Sequence, residues 1–501
     1  MSGVVAAGHP LTAEAGAGVL REGGNAVDAA VCAVLASFAV ESPLTGFGAG
    51  GFMMVHRGGE TALLDFFVAA PGRDGIERGA DLAPVPVHFD AETVQTFYVG
   101  PASCGVPGTA PGLEEALRRF GSVSLADLVK PGVRLAREGA PVNAEQAYIL
   151  DILEPIHARL QGTRELYAPA GRTLREGEVF RFGELAEALE RFGAEGAEPF
   201  CRGEVAAALS DYVIERGGTL GPGDFGSYEA IERSPIRTAF RGTEVLTNPP
   251  PSSGGILIAY CLGLLERMGE SSGPEQLVAA MGAANDARGE AFAEALYGDG
   301  LEASMLEAAA LDATAGDLLG STTHISVLDR DGMCASVTCS NGSGSGVLVP
   351  GTGVILNNML GEEDLNPLGF HAIPPGRRVP SMMAPTVVLR GGEIELGLGS
   401  AGSNRIRSAI LQTVVRAVEQ GMGAGDAVRA PRLHFEQGVV QAEPGIDEEA
   451  LARIEARGIP VRRRPAINLF FGGTQAVARE RGSGALSGGG DPRRGGSVAI
   501  P

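Results

Sequence analysis

With 501 residues, 44% of them hydrophobic and 20% charged, the chain has the material for a large buried core and reads as a folded globular protein. Its 61 acidic against 40 basic residues give a formal charge of -21, which repels nucleic-acid phosphates and anionic membrane surfaces and excludes both as expected partners. Lys130 is the only lysine, the six cysteines form no CxxC pair, and neither HExxH nor a His/Cys cluster occurs, so no Schiff base, metal or cofactor is expected. The opening MSGVVAAGHP lacks the basic and apolar regions of a signal peptide, and no run of about 18 apolar residues follows; the chain as given is expected in the cytoplasm.

In chain order, residues 12 to about 40 read as two helices parted by Gly23-Gly24-Asn25, with Thr12 and Asn25 as expected N-caps. The turn GFGAGG at 46–51 leads into GFMMVHR and ETALLDFF, two short β runs joined by a glycine turn. From about Pro107 to Ala309 the pattern is mainly helical, clearest in LEEALRRF, LADLVKPGVRLAREG and FGELAEALERF. NPPPSSGG, beginning at Asn248, is expected to be a loop because three successive prolines exclude both helix and central strand.

Beyond Leu301 an alanine-rich stretch gives way near Gly320 to alternating β sequence. THISVLDR and MCASVTCS flank Asp331-Gly332, and APTVVLR and EIELGLG flank Gly391-Gly392, so two hairpins are predicted, followed by the helical pattern NRIRSAILQTVVRAVEQG. Hairpins with helices on both sides predict a layered α/β sandwich.

The first hairpin suggests chemistry. A mid-chain threonine hydroxyl is a poor nucleophile, but at an N-terminus its own α-amine, with a pKa near about 7.7, can take its proton. Thr322 is the candidate, released by cutting the bond after Ser321. A two-residue turn at Asp331-Gly332 places Asn341 opposite Thr322 and Ser340 opposite Thr323, with a one-residue slip as the other register. His324, beside the nucleophile, is expected to pack or hydrogen-bond within its strand. The second hairpin ends in GLGSAGS just before a helix, where backbone N–H groups of Gly402 and Ser403 can stabilise an oxyanion. The same residues match GxGxxG through Gly397, Gly399 and Gly402, but the strand before them closes a hairpin and the nearest acidic residue, Glu419, lies at a helix end, which disfavours a dinucleotide site. Read without these surroundings, Thr322 merely begins a strand and the chain is a non-catalytic binding protein.

HPLTAEAG, GGNAVDAAV, GFGAGGFM, GVPGTAPG, KPGVRLAREG, NPPPSSGG, STTHISVLDRDG, VPGTGVILNN, PSMMAPT, GSAGSNR and DPR together resemble, in order and over nearly the whole chain, the γ-glutamyltranspeptidase family of N-terminal nucleophile hydrolases. The resemblance implies a four-layer αββα sandwich and a proenzyme that cleaves itself into a large subunit, residues 1–321, and a small subunit, residues 322–501, which stay associated. It implies γ-glutamyltransferase or glutathione hydrolase activity on small γ-glutamyl amides. Thr322 then matches the nucleophile, Ser340 its hydrogen-bonding partner, Gly402 and Ser403 the oxyanion-hole positions, and Asn341, Glu362 and Ser381 substrate-binding positions.

Two departures bear on the substrate. The family's Asp-Phe-Arg-Glu stretch, whose arginine grips the glutamyl α-carboxylate, reads Asp65-Phe66-Phe67-Val68 here, and a phenyl ring cannot replace a bidentate guanidinium. The family's Asn-Asn-Gln-Met-Asp-Asp reads Asn357-Asn358-Met359-Leu360-Gly361-Glu362; Glu362 keeps an anionic role, whereas Met359 cannot hydrogen-bond as glutamine does. A glutamyl donor and a non-glutamyl acyl donor both remain open.

Overall fold

The computed structural model describes residues 2–88, 94–269, 271–307 and 322–501. Its centre is two face-to-face antiparallel sheets. The strands that build them are β1 (Gly3–Ala7), β2 (Gly50–Arg57), β3 (Glu60–Phe66), β4 (Ile231–Arg233), β5 (Ile236–Phe240), β6 (Thr243–Thr247), β7 (Thr323–Asp329), β8 (Cys334–Ser340), β9 (Thr386–Arg390), β10 (Glu393–Ala401), β11 (Gly473–Arg479), β12 (Leu486–Gly489) and β13 (Ser497–Ala499). The seven-stranded sheet runs β13-β1-β7-β8-β2-β3-β4 and the six-stranded sheet β12-β11-β10-β9-β6-β5.

Helices close both outer faces. On the first sheet lie α1 (Pro10–Arg21) and α2 (Ala26–Val40), the latter buried along its whole length. On the second lie α3 (Ser253–Met268) and α4 (Arg405–Val414). The expected four-layer αββα sandwich is therefore the observed fold. Alternation along β7 divides its side chains: Ile325 and Val327 join the core under α1 and α2, while Leu328 joins the core between the sheets. At the head of β7 the same alternation sends Thr323 toward the helices, where its hydroxyl meets Glu41 of the turn after α2.

Several local expectations change. Asn25 caps α2 in a reciprocal box with Asp28, as expected, but α1 begins at Pro10 with His9 as its cap, and Thr12 instead donates to the buried Glu41 at 2.8 Å. His9 Nδ1 accepts from the Leu11 N–H at 3.1 Å, and burial lowers its pKa to about 4, which keeps the ring a neutral acceptor. The mainly helical middle contains β4, β5 and β6; β5 and β6 join through Arg241 and Gly242, both at positive φ (47° and 74°). The proline loop ends earlier than expected, with Ser253, Gly254 and Gly255 already inside α3.

Candidate active site

The first hairpin carries a three-residue loop, Arg330-Asp331-Gly332, because the Asp329 carboxylate accepts from the N–H groups of both Asp331 and Met333 at 3.0 Å while Gly332 sits at φ 89°. One more loop residue moves the pairing by one. Thr323 faces Cys339, so Ser340, not Asn341, stands opposite Thr322. The Thr322 hydroxyl donates to Ser340 Oγ at 3.2 Å, and the same oxygen accepts from the Gly342 N–H at 3.0 Å. Both side chains are buried. His324 is held by Thr338 and Ser326 hydroxyls at 2.8 and 2.9 Å, and burial pushes its pKa down to about 3, so it stays neutral and structural.

Thr322 and Ser340 line a cleft with Glu362, Asp364, Ser381 and Ser403. At the cleft, which Ser403 lines and Gly402 does not, β10 turns into α4 through Gly402 at φ 123° and Ser403 at φ 50°. Their carbonyls accept from Arg405 and Ile406, and neither N–H donates to a backbone carbonyl among the described residues. A Cβ on Gly402 would lie 2.7 Å from Gly472 Cα, so only glycine fits. Glu362 Oε1 accepts from the Ser343 N–H at 2.8 Å; burial, with neighbouring Asp364, pushes its carboxyl up to about 8. Asp364 is raised by burial too, opposed by the Ser403 hydroxyl bond and by the charges of Arg288 and Arg405. Ser381 Oγ accepts from the Met383 N–H at 3.0 Å, fixing the rim next to the proline loop. Asn341 is absent from the cleft lining; its backbone carbonyl accepts from Asn358 and Gly344. Ser321 lies outside the described residues.

A family model described as gamma-glutamyltranspeptidase matches residues 12–500. The chain belongs to this family. It is 32% identical to the acylase ACY 1 proenzyme of Pseudomonas sp. (strain SE83), over 95% of this chain and 89% of that one. It is 30% identical to the glutathione hydrolase proenzyme of Bacillus subtilis (strain 168), over 99% and 91%. Among solved structures, the cephalosporin acylase from Bacillus halodurans superposes with a TM-score of 0.83 at 25% identity, covering 99% of this chain and 95% of that one.

As a member of the gamma-glutamyltranspeptidase family, the protein is an N-terminal nucleophile hydrolase or acyltransferase. Phe67 lines the cleft, buried and stacked on Phe52 at 5.3 Å between ring centres. Met359, Leu365, Met382, Met383 and Ile406 complete an apolar surface, and no arginine or lysine lines the cleft among the described residues. Arg378, bridged to Ala69 two residues past Phe67, is held by the Asp65 carboxylate at 3.2 Å and by the carbonyls of Asp65 and Glu229. Sequence reasoning missed Asp364. Its position two residues past Glu362 was the available signal, but a short 3-10 turn at Glu363–Leu365, not a strand or helix period, brings it to the cleft.

Proposed function

We propose that Thr322 is the nucleophile of a self-processed amide hydrolase and acyltransferase; the carrying observation is its hydroxyl, 3.2 Å from Ser340 Oγ in a cleft shared with Ser403. In the processing step Thr322 Oγ attacks the Ser321 carbonyl carbon, the peptide C–N bond breaks as an ester forms, and water releases a Ser321 carboxylate and a free Thr322 amine. That amine then takes the hydroxyl proton as Oγ attacks a substrate amide, the Gly402 and Ser403 N–H groups hold the oxyanion, and the leaving amine departs with the proton. Water or an amine acceptor resolves the acyl ester. Glu362 and Ser381 act as substrate contacts. Residues 1–321 and 322–501 form the two subunits. Interleaved strands support their remaining associated: β7 lies between β1 and β8, and β8 pairs with β2, so neither segment has a complete sheet alone.

Two donor classes are compatible with this chemistry. Family membership and the similarity to a glutathione hydrolase favour γ-glutamyl amides. Phe67 and the lack of a basic side chain in the described cleft favour acyl amides without an α-carboxylate, consistent with the similarity to an acylase. Intact-mass measurement of the purified protein tests the nucleophile: a fragment beginning at Thr322 is expected, and a single full-length species after prolonged incubation would refute processing. Hydrolysis of a γ-glutamyl anilide measured beside simple acyl anilides separates the donors; failure on every γ-glutamyl compound excludes the first class.

A further inference from the structure

Resting on the reading of Thr322 as nucleophile, we propose that Asp364 is a positioning residue for the oxyanion site, acting through Ser403. At φ 50° Ser403 occupies the left-handed region, which costs a residue with a Cβ free energy that glycine does not incur. Something must hold it there. Ser403 Oγ donates to Asp364 Oδ2 at 2.6 Å, a short charge-assisted bond from the strained residue to a separate segment of the cleft. That segment is itself anchored: the Leu365 N–H donates to the Glu362 carbonyl, and Asn366 Nδ2 donates to the carbonyls of Met359 and Glu362 at 2.9 and 2.8 Å. Among the described residues Asp364 Oδ1 is buried and takes no hydrogen bond, so the Ser403 hydroxyl is the donor seen to fix this carboxylate. The Ser403 carbonyl is tied to Ile406 at the start of α4. The Gly402 carbonyl, which shares its peptide plane with the Ser403 N–H, is in turn tied to the Arg405 N–H. With that carbonyl and the Ser403 side chain fixed, the peptide N–H of Ser403 keeps one direction, as a preorganised oxyanion donor requires. The carboxylate thus substitutes for the conformational freedom of glycine.

The test is a double-mutant cycle on the processed enzyme, with kcat and KM measured on the best acyl anilide. D364A is expected to lower kcat by about tenfold or more with KM changed less than about twofold, since the oxyanion exists only beyond the ground state. D364N, which still offers an oxygen to the Ser403 hydroxyl, is expected to recover most of that loss. In an S403G background, where glycine adopts positive φ unaided, D364A is expected to change kcat by less than about twofold relative to S403G alone. Equal loss in both backgrounds, or a rise in KM at constant kcat, would mean that Asp364 acts on substrate and would overturn the inference. If D364A fails to fold, D364S, too short to reach Ser403, takes its place in the cycle. A wild-type enzyme without turnover on any acyl anilide would overturn the Thr322 reading and this inference with it; a working wild type with equal factors overturns only the latter.

Discussion

Two of the places where this molecule buries acidic side chains do so in opposite ways. Near the C-terminus, Asp491 receives Arg432 at 2.6 Å, Arg493 at 3.1 Å and the Thr474 N–H at 2.8 Å, while Glu443 receives Arg493 Nε at 2.7 Å and the Arg432 N–H at 2.8 Å. Burial alone would raise Asp491, yet Arg432 and Arg493 hold it below the ordinary carboxylate range. In the cleft, Glu362 and Asp364 form no ion pair among the described residues, and burial pushes both upward. A buried charge matched inside the chain serves structure. One held without an ion pair at a cleft, as these two are, is a candidate for work at the site, on a substrate for Glu362 or on Ser403 for Asp364.

The largest expected effect isolates the cleft. T322A removes both the attacking oxygen and the processing nucleophile, so turnover is expected to fall by about 10⁴ or more and no fragment beginning at residue 322 should appear in the intact mass. The thermal midpoint of T322A should stay near that of the wild type. R493A isolates the other region. It strips Glu443 of its ion-pair partner and leaves Asp491 with Arg432 alone, and is expected to cost about 3–5 kcal/mol in denaturant unfolding, with turnover per folded molecule little changed. A cost under about 1 kcal/mol would break the contrast between the two regions.

The same contrast predicts opposite pH dependence. Because Glu362 is raised, the folded protein holds its proton more tightly than the unfolded chain, whose value is near about 4.3; its ionisation weakens the fold progressively up to about pH 8. E362Q is therefore expected to stabilise the protein above pH 8 and to match wild type near pH 4, read by unfolding at both ends. Asp491 is depressed, so its contribution is full above the unfolded value and is lost as pH falls through the folded one. A pH-independent difference between E362Q and wild type would remove the distinction drawn for the cleft.

The sandwich was legible because its periodicities are local: β2 with β3 and β9 with β10 sit on either side of glycine turns, and the apolar run of α2 follows an asparagine cap. The hairpin of β5 and β6 was not, because its turn is Arg241-Gly242 and arginine gives no sign of adopting positive φ. In the site, Thr322, Ser340 and the Gly402 turn could be named from pattern and resemblance. The register between β7 and β8 depended on how Asp329 folds its side chain over its own loop, a side-chain choice that spacing alone does not encode. Asp364 escaped for a similar reason. Its role depends on the backbone conformation of Ser403, 39 residues away in the chain.

The smallest expected effect tests that register directly. Ser340 Oγ accepts from both the Thr322 hydroxyl and the Gly342 N–H, so it orients the nucleophile and pins the turn beyond β8 at once. A Cβ at Gly342, which has φ 67°, would meet Asn358 Oδ1 at 2.2 Å and Glu362 Oε1 at 2.5 Å, so this turn has little room to relax when the bond is lost. S340A is therefore expected to lower kcat by about tenfold, the worth of one net hydrogen bond of about 1.4 kcal/mol, with processing slowed but still reaching completion. S340T retains the γ-oxygen and should restore most of the rate. A loss as large as that of T322A would make Ser340 a participant in proton transfer, and no loss at all would mean that the strand opposite Thr322 merely carries the sheet.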